Sequence, residues 1–226
     1  AAFRQEGLWG FLDEQLKAVV EAKFLWASDF QNGYSSVKLK SEDGKNAYGM
    51  IDKSGEFIFK PIQSDYEVYF GVFTGGLNTM YFYGTEGSSY GLFDEKGKIL
   101  IPLGAANYIQ VSPAGIATVM KNNKWAIINK DGAMITGYEY AFIDEFGEKQ
   151  NVVRAAKGDY ASEEKGYVYV ENGVWGGIDK QGREVIPFKF SYISTFKEGL
   201  AAAASAESPE KIAYTDLEGN WVLPFK

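Results

Sequence analysis

Carboxylates and phenols must carry any chemistry in this chain, because it contains neither histidine nor cysteine. That absence removes Ser-His-Asp and Cys-His nucleophilic catalysis, imidazole acid–base chemistry and the usual zinc sites. Glycoside hydrolysis needs only two carboxylates, so it survives the exclusion. Adjacent acids occur at Asp144-Glu145 and Glu163-Glu164. Nothing matches one as an acid to another as a base, and both pairs read as solvated loop charges. A calcium cage needs several oxygen ligands close together. The recurrent Asp residues come one or two to a turn, so no metal is expected, and no cofactor is expected either.

Two tyrosine-rich stretches are the candidate ligand-binding residues. Tyr81, Tyr83 and Tyr90 flank a Gly- and Ser-containing loop, and Tyr160, Tyr167 and Tyr169 surround the stretch 157–166, read as a long loop. Tyrosine offers an apolar ring and a polar tip, which suits sugars or peptides. The structural alternative is a strand with ordinary cross-strand aromatic pairs.

The elements that must position these residues recur along the chain. A phrase of an apolar or aromatic residue, a small residue, two apolar positions and an Asp or Asn appears six times, from Trp9-Gly10-Phe11-Leu12-Asp13 to Ile212-Ala213-Tyr214-Thr215-Asp216. The copies start near 8, 47, 89, 124, 174 and 211, the last one partial. Residues 10–37 lie on 176–203 without a gap, at an offset of 166, so that Trp26 and Tyr192 share one position. A fixed period of this kind means an array of like units, here one repeat domain over 1–226.

Each phrase alternates as a strand with one buried face. A turn follows, with Asp52 and Gly55, Asp94 and Gly97, Asn129 and Gly132, Asp179 and Gly182, and Asp216 and Gly219 as its structural residues. Asp or Asn accepts hydrogen bonds from turn amides, and Gly adopts positive φ. Leu16 stands at the Gly position of the first copy, so a different turn is expected there. The aromatics at 9, 48, 90, 125 and 175 share one repeat position and read as core packing. The fold expected is all-β, in tandem three- to four-stranded meanders. Six hairpins alternate with five partner strands, which leaves one hairpin over. The array is therefore either propeller-like, with about five blades, or open and twisted.

At Trp175-Gly176-Gly177-Ile178-Asp179, Gly182, Val185-Ile186-Pro187, Phe196 and Glu198-Gly199-Leu200-Ala201 the chain resembles the bacterial WG-repeat family. The resemblance extends over 8–226, with departures at Leu16, and at Glu21 and Gly137 where Pro belongs. It implies a β-rich bacterial repeat protein, often exported to the periplasm or cell surface. It implies no shared reaction and no catalytic residues.

Composition narrows the partner. A net charge of −7 and the absence of any basic run argue against nucleic acid. No apolar run approaches the length of a membrane-spanning helix, and no stretch reads as a signal peptide. The function expected is a non-enzymatic repeat protein that presents a binding surface to a protein or glycan. The alternatives are a carboxylate-dependent glycoside hydrolase on a propeller-like frame and a purely structural spacer.

Overall fold

The computed structural model describes all residues except 86, 149, 165, 166, 206, 208–210 and 224–226, and it does not describe the side chains of Tyr160, Glu163, Glu164 and Tyr167. The described residues form strands and turns without helix. Contacts divide the chain into two compact units, Ala1–Ala105 and Ala106–Lys226.

The N-terminal unit contains three antiparallel sheets. The first is β1 (Ala2–Gln5), β2 (Leu8–Leu12) and β3 (Ala18–Phe24). The second runs β4 (Trp26–Ala27), β5 (Tyr34–Lys40), β6 (Asn46–Asp52) and β7 (Ile62–Gln63). The third runs β8 (Val68–Phe70), β9 (Leu77–Gly84), β10 (Gly87–Asp94) and β11 (Ile99–Ala106), whose last residue begins the next unit. The hairpin left over in the sequence count is not bare. Strand β1 pairs with β2, Phe3 opposite Gly10, and supplies the missing partner. Residues 2–5 were too short a stretch to show a period.

The C-terminal unit continues the pattern with β12 (Tyr108–Val111), β13 (Ile116–Lys121) and β14 (Lys124–Asn129). The next sheet comprises β15 (Phe142–Ile143), β16 (Val152–Lys157), β19 (Val174–Asp179), β20 (Glu184–Ile193), β21 (Ala201–Ser205), β22 (Ala213–Thr215) and β23 (Trp221–Leu223). Between β16 and β19 stands a separate hairpin, β17 (Tyr160–Glu164) with β18 (Tyr167–Glu171). The stretch 157–166 is thus no long loop. Tyr167-Val168-Tyr169-Val170 alternates β-branched and aromatic residues, which favours a paired strand.

One hydrogen-bonding pattern ends every repeated strand. Asp52 Oδ1 accepts from the backbone N–H groups of Ser54 at 2.8 Å and Glu56 at 3.1 Å. Asp13, Asp94, Asn129, Asp179 and Asp216 hold the amides two and four residues on in the same way. Each such bond contributes about 1 kcal/mol. Asn129 does the work with a neutral amide oxygen, so acceptor geometry rather than charge is what the turn requires. The fourth turn residue has positive φ, from 74° at Gly182 to 87° at Gly55. Leu16 adopts the same state, at φ 60°, and its N–H bonds to Asp13 O like the others. The first copy therefore does not have a different turn. The Asp13 cap holds a residue that resists the conformation.

The small residue of the phrase has a packing cause. A Cβ built on Gly91 would lie 2.8 Å from Leu103 N, and one on Gly176 would lie 2.7 Å from Ile186 O. The next strand crosses too close for any side chain. Ala126 is tolerated in the fourth copy because its neighbouring segment only bridges, Ile128 to Met134 and Trp125 to Tyr140.

Cores lie between successive meanders, as expected where each unit covers its neighbour's apolar face. Phe11, Val20, Phe24, Val37 and Ile51 make one in the N-terminal unit, and Tyr48, Met50, Val68, Phe73, Met80 and Phe93 the next. In the C-terminal unit Trp175 packs with Ile186, Phe190 and Ile193. Of the five repeated aromatics, Tyr48 and Trp175 are buried; Trp9, Tyr90 and Trp125 are half-buried.

Two substitutions in equivalent turns should move stability in opposite directions. Gly97→Ala places a methyl on the carbonyl of Ile58 and forces positive φ on Ala, and should cost roughly 3 kcal/mol. Leu16→Gly, at a site 75% exposed, relieves the strained conformation and loses little packing. It should gain roughly 0.5–1 kcal/mol. Chemical denaturation midpoints check both, and a Leu16→Gly midpoint below the wild type would refute the strain.

Candidate functional site

The structure gathers the first tyrosine group on one sheet face. Strand register sets Tyr81 of β9 opposite Tyr69 of β8 and Tyr90 of β10. The rings stack at 5.6 Å and 5.3 Å, with interplanar angles of 25° and 21°. Tyr83 joins them, 5.7 Å from Tyr81 and 6.0 Å from Tyr69. These are cross-strand aromatic pairs, yet Tyr69 and Tyr83 remain exposed. Burial and the neighbouring phenols hold the Tyr81 hydroxyl above its ordinary pKa. The second group lies in the other unit. Tyr169 is exposed on β18, while the side chains of Tyr160 and Tyr167 lie outside the described residues.

Tyr69 and Tyr81 lead into a cleft of about 390 Å³ within the N-terminal unit. Its floor is apolar, from Met50, Val68 and Phe73. At its rim stands Trp26, on β4, with half of its surface exposed (51%). Alternation along β5 turns Tyr34, Ser36 and Lys38 to the same side, and all three line the cleft. Asp29 and Gln31 come from the loop that closes β4 onto β5.

A three-residue network forms the polar wall. Lys38 Nζ donates to Glu67 Oε2 at 2.7 Å and to Oε1 at 3.0 Å, and Tyr48 O–H donates to Oε2 at 3.0 Å. The ammonium also sits 5.4 Å from the centre of the Tyr48 ring. The Lys38 bond holds the Glu67 carboxyl below its usual range, and Glu67 in turn raises Lys38. Burial first, and then Glu67, pushes the Tyr48 hydroxyl up. Each group fixes the others, so the wall is preorganised.

The carboxyl shifts that are resolved all run in one direction. A general acid at neutral pH needs a raised carboxyl pKa. Among the described residues, the carboxyls that depart from ordinary values, Asp43, Asp52, Glu67, Asp179 and Asp216, are all lowered. Asp144 is also not the solvated loop charge expected from sequence. It is largely buried, and its Oδ2 accepts from Arg154 Nε at 2.8 Å. Glu145 is exposed, and Glu163 and Glu164 lie outside the described side chains. No group of three or more metal-ligating residues occurs among the described residues, and no helix is long and apolar enough to cross a membrane.

Residues 9–41 and 175–204 match the family model of the WG containing repeat. These two segments are WG repeats. No curated protein matches it. Among solved structures, it is similar to the tricorn protease at 10% identity and a TM-score of 0.36, over 98% of this chain and 29% of that one. It is also similar to a TolB protein from Agrobacterium tumefaciens at 13% identity and a TM-score of 0.32, over 82% of this chain and 76% of that one. The chain thus spans less than a third of the tricorn protease chain. Trp26, Asp29, Gln31 and Lys38 of the cleft all lie in the first matched WG segment.

Trp26, Lys38, Tyr48, Glu67 and Tyr69 escaped the sequence reading as site residues. In the sequence Trp26 and Tyr48 are marked only as repeat positions, and Lys38 and Glu67 are 29 residues apart. The available signal was the alternation of Tyr34, Ser36 and Lys38, which marks one polar-aromatic strand face.

Glu67 makes the N-terminal unit sensitive to acid. Its folded pKa is depressed, so its stabilisation is present above its ordinary value of 4.5 and is lost as pH falls through the folded value. The wild type should lose more thermal stability than Glu67→Gln between about pH 5 and about pH 3. Parallel melting curves of the two proteins would show no contribution from the Lys38–Glu67–Tyr48 network.

Proposed function

We propose that this chain is a non-enzymatic, exported bacterial WG-repeat protein that binds a glycan in the cleft of its N-terminal unit. The observation that carries this reading is the exposed indole of Trp26, which lines one cleft with the Tyr69 ring and a fixed ammonium–carboxylate pair. Aromatic faces accept the C–H face of a sugar ring, while Lys38, Glu67, Asp29 and Gln31 offer donors and acceptors to its hydroxyls. A cleft of this volume is sized for a small ligand such as one or two sugar rings.

Hydrolysis receives less support. Glu67 is held ionised by Lys38 and Tyr48, which suits an acceptor and not a proton donor. A spacer would have no use for a large exposed indole above an apolar floor.

Trp26→Ala tests the reading. Calorimetric titration with a panel of neutral oligosaccharides should give binding to the wild type and a loss of about tenfold or more in the variant. Its melting temperature should stay close to that of the wild type, because half of the side chain is already in water. Undiminished affinity in Trp26→Ala, or steady release of reducing ends from a bound oligosaccharide, would overturn the proposal.

A further inference from the structure

The repeat alignment places a second cleft in the C-terminal unit, of about 530 Å³. Its lining follows from that of the first at the offset of 166. Trp26, Asp29 and Gln31 become Tyr192, Thr195 and Lys197, and all three line the second cleft. Ser28 becomes Ser194, with the same local bonds. Ser28 N–H donates to Ser36 O at 2.9 Å, and Ser36 N–H donates to Ser28 Oγ at 3.0 Å. Ser194 N–H donates to Ala202 O at 2.8 Å, and Ala202 N–H donates to Ser194 Oγ at 2.9 Å. Gln31 and Lys197 start the same two-residue hairpin, with Gln31 N–H bonded to Tyr34 O at 2.8 Å and Lys197 N–H to Leu200 O at 2.9 Å. The backbone cradle is therefore built twice.

Its chemistry is inverted. The first cleft is lined by Asp29 and Glu67 with one cation, Lys38. Among the described residues the second is lined by two cations, Arg154 and Lys197, and by no carboxylate. Arg154 is aimed by its surroundings. Nε donates to Asp144 Oδ2 at 2.8 Å and Nη1 donates to Ile193 O at 3.0 Å. Its guanidinium carbon lies 5.1 Å from the Trp175 ring centre and 5.5 Å from that of Phe142. Only 11% of the side chain is exposed. Nη2 has no hydrogen-bond partner among the described residues, although a guanidinium carries five N–H donors. Thr195 Oγ1 donates to Asp144 Oδ2 at 3.2 Å and completes the support. A guanidinium locked in place, with one nitrogen left over and a lysine beside it, is suited to an oxyanion.

We infer that this cleft is a second ligand site, which takes a small ligand bearing an oxyanion, either a carboxylate or a phosphate. Arg154 Nη2 and Lys197 hold the charge, and the rings of Tyr192 and Tyr214 flank the ligand body. The inference does not depend on what occupies the first cleft.

Calorimetric titration of the full chain at low salt with glucuronate, glucose and inorganic phosphate tests it. At least one of the two anions should bind, and about tenfold more tightly than glucose, with affinity that falls as salt is added. Glucuronate would identify an acidic sugar as the ligand class, and phosphate alone a free or esterified phosphate. Lys197→Glu, at an exposed turn position that leaves the core untouched, should weaken the anion by about tenfold or more. Arg154→Lys keeps the charge and removes the fork, and should weaken it as well, with Lys197→Glu standing alone if that variant is unstable. Glucose binding as tight as the tighter of the two anions, no binding of either anion, or anion affinity unchanged in Lys197→Glu would overturn the inference. So would loss of anion binding in Trp26→Ala, which would put the anion in the first cleft.

Discussion

Each repeated strand of this protein ends on an Asp or Asn oxygen that holds two backbone amides, and the remaining geometry depends on that bond. The oxygen fixes a tight turn, and the turn fixes how the chain returns along the strand it has just left. Strand pairing then sets which side chains face the neighbouring sheet, because a slip of one residue would send every side chain to the other face. The close crossing at Gly91 and Gly176 follows from the same return path. So does the core position of Trp175. The strength of the cap is visible where the sequence departs from it. Leu16 is held at φ 60° by the Asp13 turn, although an L side chain resists that state.

Much of this frame was legible in the residues. Spacing alone located the repeated strands and their turns, because an Asp followed three residues later by Gly has few other structural meanings. Three features were not. Strand β1 is only four residues long, below any periodic signal, and it gains its place solely by pairing with β2. The hairpin β17–β18 was concealed by being an insertion, since a repeat alignment treats what it cannot align as loop. The Asp144–Arg154 pair was concealed by distance in sequence, and by the general expectation that adjacent acids are solvated.

The candidate site was less legible than the fold, for a physical reason. A binding site on a repeat scaffold consists of repeat positions with changed side chains, so the alignment that reveals the array also hides the site. Trp26 shares its position with Phe142 and Tyr192. Only exposure separates a large indole at a rim from an aromatic that packs, and exposure is a property of the folded chain. The tyrosines of β9 and β10 stood out by composition, and they do adjoin the cleft through Tyr81. Glu67 carries no mark in the sequence, and Lys38 carries only that of its strand face. They acquire their roles from each other and from the buried hydroxyl of Tyr48.

The scaffold separates the residues that hold the fold from those that line the clefts. The caps and the glycine crossings involve backbone and one acceptor oxygen per repeat, and they leave the positions around each cradle free to vary. Where the two clefts correspond, the backbone bonds of Ser28 and Ser194 differ by about 0.1 Å, yet the flanking residues change from Asp29 and Gln31 to Thr195 and Lys197. At the next repeat position the same pair of sites, Ser28 with Ser36 and Ser194 with Ala202, is occupied by Asp144 with Arg154. A neutral cap there has become a charge pair, which costs desolvation unless its hydrogen bonds are met. Asp144 and Ile193 O meet two of the guanidinium nitrogens, and the third has no hydrogen-bond partner among the described residues.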